Sequence, residues 1–318
     1  MTQSMKQLSK VLTLASLLLI GVLGWVTMTP SPSVAAVAEP EVVALPQSEA
    51  HRPLQSSSNI SFTLHLTASE SLPRVQWGSF DSGDIDGDGS QDILMTGCSE
   101  IVGFGFCATT ISQIYLNIDG QGTFIITQTN ALTGVRNSST SLGDMDDDND
   151  LDIFITGIST STHAHTLVYS NTADGFKLHT QLTGVGEGEA TWADMDNDND
   201  LDLLVTGRDP GTFAEQAKVY RNDTGSFVDI SASLAAMYQS GAAWGDVNND
   251  NKLDILLSGR SSFQPTTKLY TNTTGTAFQE DVTNSGILTN VRHSSVTWGD
   301  MDNDGDQDIL LAGEVSFG

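Results

Sequence analysis

One nine-residue pattern, D-x-[DN]-x-D-[GN]-x-x-D, recurs five times in this chain, starting at Asp84, Asp144, Asp194, Asp246 and Asp300. The intervals are 60, 50, 52 and 54 residues. A pattern that returns at such a spacing marks a chain of similar supersecondary units, and units of that kind share their core with their neighbours. The fold must therefore be a repeat architecture. A hydrophobic content of 38%, modest for a chain of this length, is enough when the core is shared.

Each unit follows one course. A short strand leads into the acidic loop, as in Ala190-Thr191-Trp192 before Asp194 and Ser295-Val296-Thr297-Trp298 before Asp300. A compact apolar run follows, at Ile93-Leu94-Met95, Ile153-Phe154-Ile155, Leu203-Leu204-Val205, Ile255-Leu256-Leu257 and Ile309-Leu310-Leu311. Each run is expected to end shortly afterwards at a glycine: Gly97, Gly157, Gly207, Gly259 and Gly313. Runs this short, punctuated by turn residues, read as strands rather than helices. A third strand carries Tyr-x-Asn at Tyr115/Asn117, Tyr169/Asn171, Tyr220/Asn222 and Tyr270/Asn272, and a fourth carries Phe124, Phe176, Phe227 or Phe278. Four short strands per unit is the proportion of a propeller blade. The expected fold is all-β, a β-propeller of four-stranded blades in about five units over residues 59–318. The fifth unit has only its first two strands before Gly318, while Ile60-Phe62-Leu64 reads as a fourth strand without its blade. That N-terminal strand either completes the last blade or the chain is part of a longer one. The missing Tyr-x-Asn strand favours the second, a propeller incomplete at its C-terminal end.

The acidic loops carry the chemistry. In the first, Asp84, Asp86, Asp88 and Asp92 supply carboxylates at positions 1, 3, 5 and 9, and the backbone carbonyl of Ser90 adds an oxygen from position 7. The later loops repeat the set with Asp144, Asp146, Asp148, Asp150 and Asp152; Asp194, Asp196, Asp198, Asp200 and Asp202; Asp246, Asn248, Asp250, Lys252 and Asp254; and Asp300, Asp302, Asp304, Asp306 and Asp308. Oxygen-only donors in a tight loop suit Ca²⁺, whereas Mg²⁺ usually keeps several waters. Asn248 keeps a carbonyl oxygen but drops a charge, so that site is expected to be the weaker. Position 6 needs a sharp turn and holds only Gly89, Asn149, Asn199, Asn251 and Gly305, residues that tolerate positive φ. Position 2 is always apolar (Ile85, Met145, Met195, Val247, Met301) and is expected to anchor the loop in the blade. This is not the helical EF-hand, which needs a bidentate Glu at position 12. Here position 12 holds the strand residues Met95, Ile155, Val205, Leu257 and Leu311. Carboxylates this close repel one another, and a bound cation turns the repulsion into a cross-link. The expected role of the metal is structural.

Composition narrows the partners. Net charge is −27, from 40 acidic against 13 basic residues, and 23 of the acids lie in the five loop windows. Such a chain cannot hold a phosphate backbone by charge, which excludes nucleic acid. Lys6 and Lys10, the apolar stretch Val11 to Met28 and the small-residue pattern Ala36-Val37-Ala38 read as an export signal over residues 1–38. The stretch is long enough that retention as an anchor is the other reading. Residues 39–58, with Pro40, Pro46, Pro53 and Ser56-Ser57-Ser58, read as a flexible linker. The protein is expected to be secreted or at the cell surface, where Cys98 and Cys107, flanking a short predicted loop, are expected to form a disulfide. Trp192, Trp244 and Trp298 recur in register and read as blade packing; His163 and His165 fall in a predicted surface loop. No nucleophile, zinc or phosphate-loop motif is present, and no single loop gathers Lys, Arg, Tyr and His.

The segments Trp244-Gly245-Asp246 through Asp254-Ile255-Leu256-Leu257, and Trp298-Gly299-Asp300 through Asp308-Ile309-Leu310-Leu311, resemble the FG-GAP and VCBS repeats. These are the calcium-loop blades of integrin alpha subunits and of many exported bacterial proteins. The resemblance extends over about residues 59–318, and it implies a β-propeller with one Ca²⁺ per loop-bearing blade. Trp-Gly or Trp-Ala in place of Phe-Gly is nearer the bacterial repeats. Integrin-type adhesion does not transfer with the resemblance; the function expected of this chain is that of an exported calcium-binding module, a cell-surface or extracellular binding or adhesion module for a protein or glycan, without catalysis. Two alternatives stay open: a carbohydrate-active, polysaccharide lyase-like propeller, and a structural spacer in a larger protein.

Overall fold

The apolar runs Ile153-Phe154-Ile155, Leu203-Leu204-Val205 and Ile255-Leu256-Leu257 are apolar on both faces because each becomes a strand packed between two neighbouring sheets. In the computed structural model, which describes residues 72–103, 105–127, 132–160 and 163–315, the chain is all-β and its strands follow one another in five sheets. The first blade is β1 (Phe80–Gly83), β2 (Asp92–Val102), β3 (Phe106–Asn117) and β4 (Phe124–Ile126). The second is β5 (Arg136–Gly143), β6 (Asp152–Ile158), β7 (Ala164–Ser170) and β8 (Lys177–Val185). The third is β9 (Ala190–Ala193), β10 (Asp202–Arg208), β11 (Glu215–Asp223) and β12 (Ser226–Asp229). The fourth is β13 (Tyr238–Gly245), β14 (Asp254–Ser261), β15 (Gln264–Asn272) and β16 (Phe278–Glu280). A fifth sheet holds β17 (Arg292–Gly299) and β18 (Asp308–Glu314). Every sheet is an antiparallel meander in sequence order. The expected signal at 1–38, linker at 39–58 and strand at Ile60-Phe62-Leu64 lie outside the described residues.

Successive blades share their cores. In β6, Ile153 and Ile155 pack toward the first blade with Ile85, Leu94, Ile114 and Val135. Phe154, between them, packs toward the third blade with Met145, Val168, Leu203, Val205 and Tyr220. The same alternation puts Leu204 with Ile255 and Leu257, and Leu256 with Val296 and Trp298. A two-residue period buried on both faces is the reason for continuous apolar runs. Burying one such Leu, Ile or Phe contributes about 1.5–3 kcal/mol, so most of each blade's stability is held jointly with the next.

A second link joins the first strands. Trp77, Asn137, Glu187, Gln239 and His293 occupy equivalent places in the five units, and each has positive φ, between 46° and 57°. The register breaks there: β5, β13 and β17 each have a bulge at this point. The bulge turns backbone groups toward the neighbouring blade. Asn137 N–H donates to the Trp77 carbonyl at 2.5 Å, Glu187 N–H to Asn137 at 3.0 Å, and Gln239 N–H to Glu187 at 2.5 Å.

The bulge also explains the recurring glycines. Gly97, Gly157, Gly207 and Gly259 do not end their strands, as the sequence implied; β2, β6, β10 and β14 run on past them. They sit where the bulged strand crosses closest. A Cβ on Gly259 would lie 2.7 Å from Ser240 Cβ, and one on Gly207 would lie 2.8 Å from the Gly186 carbonyl oxygen. Two smaller differences stand out. Phe176 lies one residue ahead of β8. A single helical turn, α1 (Val282–Ser285), precedes β17, capped by Asp281 and tied to β15 through Ser285 Oγ, which accepts from Leu269 N–H.

Gly259→Ala should destabilise the protein by about 1–3 kcal/mol through overpacking and backbone strain, read as a lower urea midpoint. Gly299→Ala, with no atom within 4 Å of the added carbon, should leave the midpoint nearly unchanged. Equal effects would refute the close-approach account.

Candidate metal centres

Each acidic loop joins the first two strands of its sheet, and its backbone is folded by its own carboxylates. The position-1 carboxylate accepts from the position-6 amide: Asp84 from Gly89 at 3.0 Å, Asp144 from Asn149 at 3.0 Å, Asp194 from Asn199 at 3.1 Å, Asp246 from Asn251 at 2.7 Å and Asp300 from Gly305 at 3.2 Å. The position-5 carboxylate accepts from position 7: Asp88 from Ser90, Asp148 from Asp150, Asp198 from Asp200, Asp250 from Lys252 and Asp304 from Asp306. Position 6 has positive φ in all five loops, from 65° to 96°. Position 4 does too, at Gly87, Asp147, Asn197, Asn249 and Asn303, from 55° to 76°. Two left-handed residues in five curl the loop tightly enough to aim several oxygens at one centre. Position 4 was legible in the sequence as a column of Gly, Asn and Asp, the residues that visit this region.

Position 9 does more than offer a ligand. Asp92, Asp152, Asp202 and Asp254 are buried. One oxygen of each accepts from the position-2 amide, Ile85, Met145, Met195 or Val247, at 2.8–3.0 Å. The other accepts from the backbone amide of the Tyr-x-Asn asparagine, Asn117, Asn171, Asn222 or Asn272, at 2.7–2.8 Å. Asp308 makes the first of these bonds, to Met301, at 2.8 Å. The asparagine side chain then reaches back one blade. Asn171, Asn222 and Asn272 donate to the position-2 carbonyls of the preceding loop, at Ile85, Met145 and Met195. The position-2 side chains lie in the interface with the following blade, Ile85, Met145 and Met195 being buried and Val247 partly so. Neighbouring loops also touch: Asn197 donates to the Asn251 carbonyl, and Asn249 to Asp306.

The donor set fits a hard cation. Four loops bring three carboxylate oxygens within 4.8 Å of one another: Asp84, Asp86 and Asp92; Asp144, Asp146 and Asp152; Asp194, Asp196 and Asp202; Asp300, Asp302 and Asp304. Asp84 Oδ1, Asp150 Oδ1 and Asp196 Oδ1 are shielded from solvent and meet no hydrogen-bond donor, an arrangement that costs free energy unless a cation faces them. Burial pushes Asp152 up to about 6 and Asp202 up to about 7, against the opposing effect of their backbone hydrogen bonds. Asp150 is pushed up to about 6 by burial and by Asp148 beside it. Burial, followed by repulsion from neighbouring carboxylates, raises Asp146 and Asp196 as well. The fourth loop differs. Asn248 replaces a carboxylate, and the Lys252 ammonium pairs with Asp250 at 2.6 Å, holding Asp250 below its usual range. A cation there would compete with a resident positive charge.

The remaining sequence candidates are placed plainly. Trp192 packs edge-on against Phe154 at 5.8 Å and near Phe227. The Trp244 and Trp298 indoles donate to the Thr191 and Ala243 carbonyls of the preceding blade. All three serve blade packing. Cys98 and Cys107 form a disulfide across β2 and β3. His165 is not in a loop but inside β7, paired with Gly157, and burial lowers its pKa. No helix among the described residues is long and apolar enough to cross a membrane.

The fold and its loops define a repeat protein of β-blades, each with an acidic loop between its first two strands. Residues 194–257, which run from the third acidic loop to the central strand after the fourth, match the model of the FG-GAP-like repeat. No curated protein matches the sequence. Among solved structures, a rhamnogalacturonan lyase of Bacillus licheniformis is similar at 13% identity and a TM-score of 0.41, over 74% of this chain and 55% of that one. The chain thus spans just over half the length of that structure.

Two outcomes follow from the double role of position 9. Asp202→Asn removes one acceptor from a buried pair of backbone amides and should cost about 1–3 kcal/mol in chelator. Asp196→Asn, a ligand position only, should leave stability in chelator near wild type; a reversed order of the two would overturn the assignment. The pH dependence has a definite sign. Without metal, Asp152 and Asp202 hold protons more tightly folded than unfolded. Their contribution to stability is full below the reference value of 3.8 and is lost as pH rises through about 6 to 7. Calcium needs the ionised carboxylates, so stabilisation by Ca²⁺ should grow over that same window, and calorimetry with and without chelator would show the two curves diverging.

Proposed function

We propose that this chain is an exported, calcium-loaded β-propeller segment that serves as a binding module for an extracellular protein or glycan, with structural metal and no catalysis of its own. One observation carries the reading: the same oxygen-only loop is built five times, and four copies converge three carboxylates. A bound Ca²⁺ would neutralise the repulsion within each cluster. The loops supply the rest. The position-2 side chain and the Tyr-x-Asn latch attach each of the first three loops to the neighbouring blade, so ordering one of them also fixes a blade interface. Export is supported by the N-terminal segment and by the extracellular setting typical of FG-GAP repeats.

The melting temperature should climb with millimolar Ca²⁺ and drop in chelator. Each site contributes about 2.7 kcal/mol when free Ca²⁺ exceeds its Kd by ~100-fold. Asp194→Ala should blunt the response, and calorimetric titration should find the fourth loop weaker than the rest. A melting curve indifferent to Ca²⁺, with no metal found by elemental analysis, would overturn the proposal.

A further inference from the structure

The ends of the strands away from the acidic loops carry a second constellation. The hairpins β10–β11 and β14–β15 hold Phe213 and Phe263 at their tips, 66% and 69% exposed. Both have positive φ, 59° and 68°, a conformation that bulky residues avoid. Between the two rings runs an alternating stack. The Arg208 guanidinium lies 5.6 Å from the Phe213 ring centre and 4.2 Å from that of Tyr238. The Arg260 guanidinium lies 5.7 Å from Tyr238 and 5.5 Å from Phe263. Tyr238 is buried at the middle, and the hairpins are tied together where Ser262 N–H donates to Glu215 at 2.9 Å.

The two arginines differ in one respect. Arg208 pairs with Glu187 at 2.8 Å. Arg260 has no acidic partner among the described residues, and its Nε is shielded from solvent without an acceptor. Of the other half-buried cations, Lys218, Lys252, Lys268 and Arg292 each hold a carboxylate, and Arg136 donates to the Asn137 side chain. In a chain with 40 acidic residues, this guanidinium is left facing aromatic rings. A stacked guanidinium keeps its edge as a planar fork that matches a carboxylate in two hydrogen bonds.

We propose that Phe213, Arg260 and Phe263 form a docking platform for a protein segment that presents one aspartate or glutamate flanked by apolar side chains. The carboxylate sits on the Arg260 fork, and the apolar side chains cover the two phenyl rings. Aromatic residues and arginine are what the buried centres of protein–protein interfaces favour. A hydroxyl-rich sugar finds less here: phenyl rings have no polar handle, and Glu187 and Glu215 are engaged by Arg208 and Ser262. A polyanion is repelled by the net charge of the chain, whereas a single carboxylate in an apolar frame is not. This site deepens the binding-module reading and does not depend on the metal.

The test maps amide shifts by NMR on the Ca²⁺-supplemented protein, with blocked leucyl-aspartyl-leucine as the probe. Its asparagine analogue and glucuronate are the comparators. The aspartyl peptide should shift the amides of Phe213, Ser262 and Phe263, and the analogue should bind about tenfold more weakly, as expected for loss of a charge-assisted pair. Arg260→Gln should cost about tenfold, Arg260→Lys less, and Phe263→Ala, at an exposed tip that does not threaten folding, should also weaken binding. Equal binding of the asparagine analogue, or full affinity in both Arg260→Gln and Phe263→Ala, overturns the proposal. Stronger shifts with glucuronate than with the peptide overturn it in favour of a carboxylated glycan. A melting curve that ignores Ca²⁺ would sink the metal reading and leave this result standing.

Discussion

The buried carboxylate at the end of each acidic loop holds the structure together. Asp92, Asp152, Asp202 and Asp254 each divide their two oxygens between the loop they close and the third strand of the same sheet. A carboxylate can do this where an amide cannot, because it accepts on both oxygens. The cost is a buried negative group beside other carboxylates, which is why Asp152 and Asp202 hold protons so far above the ordinary range. The loop is thus strained electrostatically by the residue that fixes its shape, and a divalent cation would relieve it. The candidate metal site and the fold are one device.

That device is coupled along the chain. The position-2 residue puts its side chain into the interface with the next blade and gives its carbonyl to that blade's asparagine. The position-9 carboxylate reaches the asparagine of its own blade. The first three loops are therefore held from two blades at once, and β6, β10 and β14 are buried between their neighbours. Stability in such an array is a property of neighbouring pairs. Damage to one loop should be felt at the two interfaces beside it, ahead of more distant blades. Met301, at the same loop position, is 54% exposed, with no blade beyond it among the described residues.

Much of this was readable beforehand, for a definable reason. The order of strands, the Tyr-x-Asn strand, the tryptophans in the blade packing and the turn at position 6 all recur in register, and recurrence turns weak local signals into strong ones. What escaped was contact between units. Gly97, Gly157, Gly207 and Gly259 looked like strand ends because glycine usually is one; their purpose, letting a bulged strand cross, depends on backbone far from them in space. The bulge residues themselves, Trp77, Asn137, Glu187, Gln239 and His293, share no side-chain chemistry. The left-handed geometry of the first four goes with the blade-to-blade hydrogen bonds that join them, which leave no mark on residue type.

The division follows the range of the forces. Within nine residues, oxygen spacing and turn chemistry are set by covalent connection, so the sequence alone determined that acidic loops would alternate with buried strands. The union of Arg208, Tyr238 and Arg260 between two exposed phenylalanines was not determined that way. These residues come from two blades; Arg208 and Arg260 each follow the recurring glycine of their unit, but nothing in the sequence puts Tyr238 between them. Only the stacking of one sheet on the next brings a guanidinium between rings and leaves it without an acid, because that distance is fixed by packing and not by the chain.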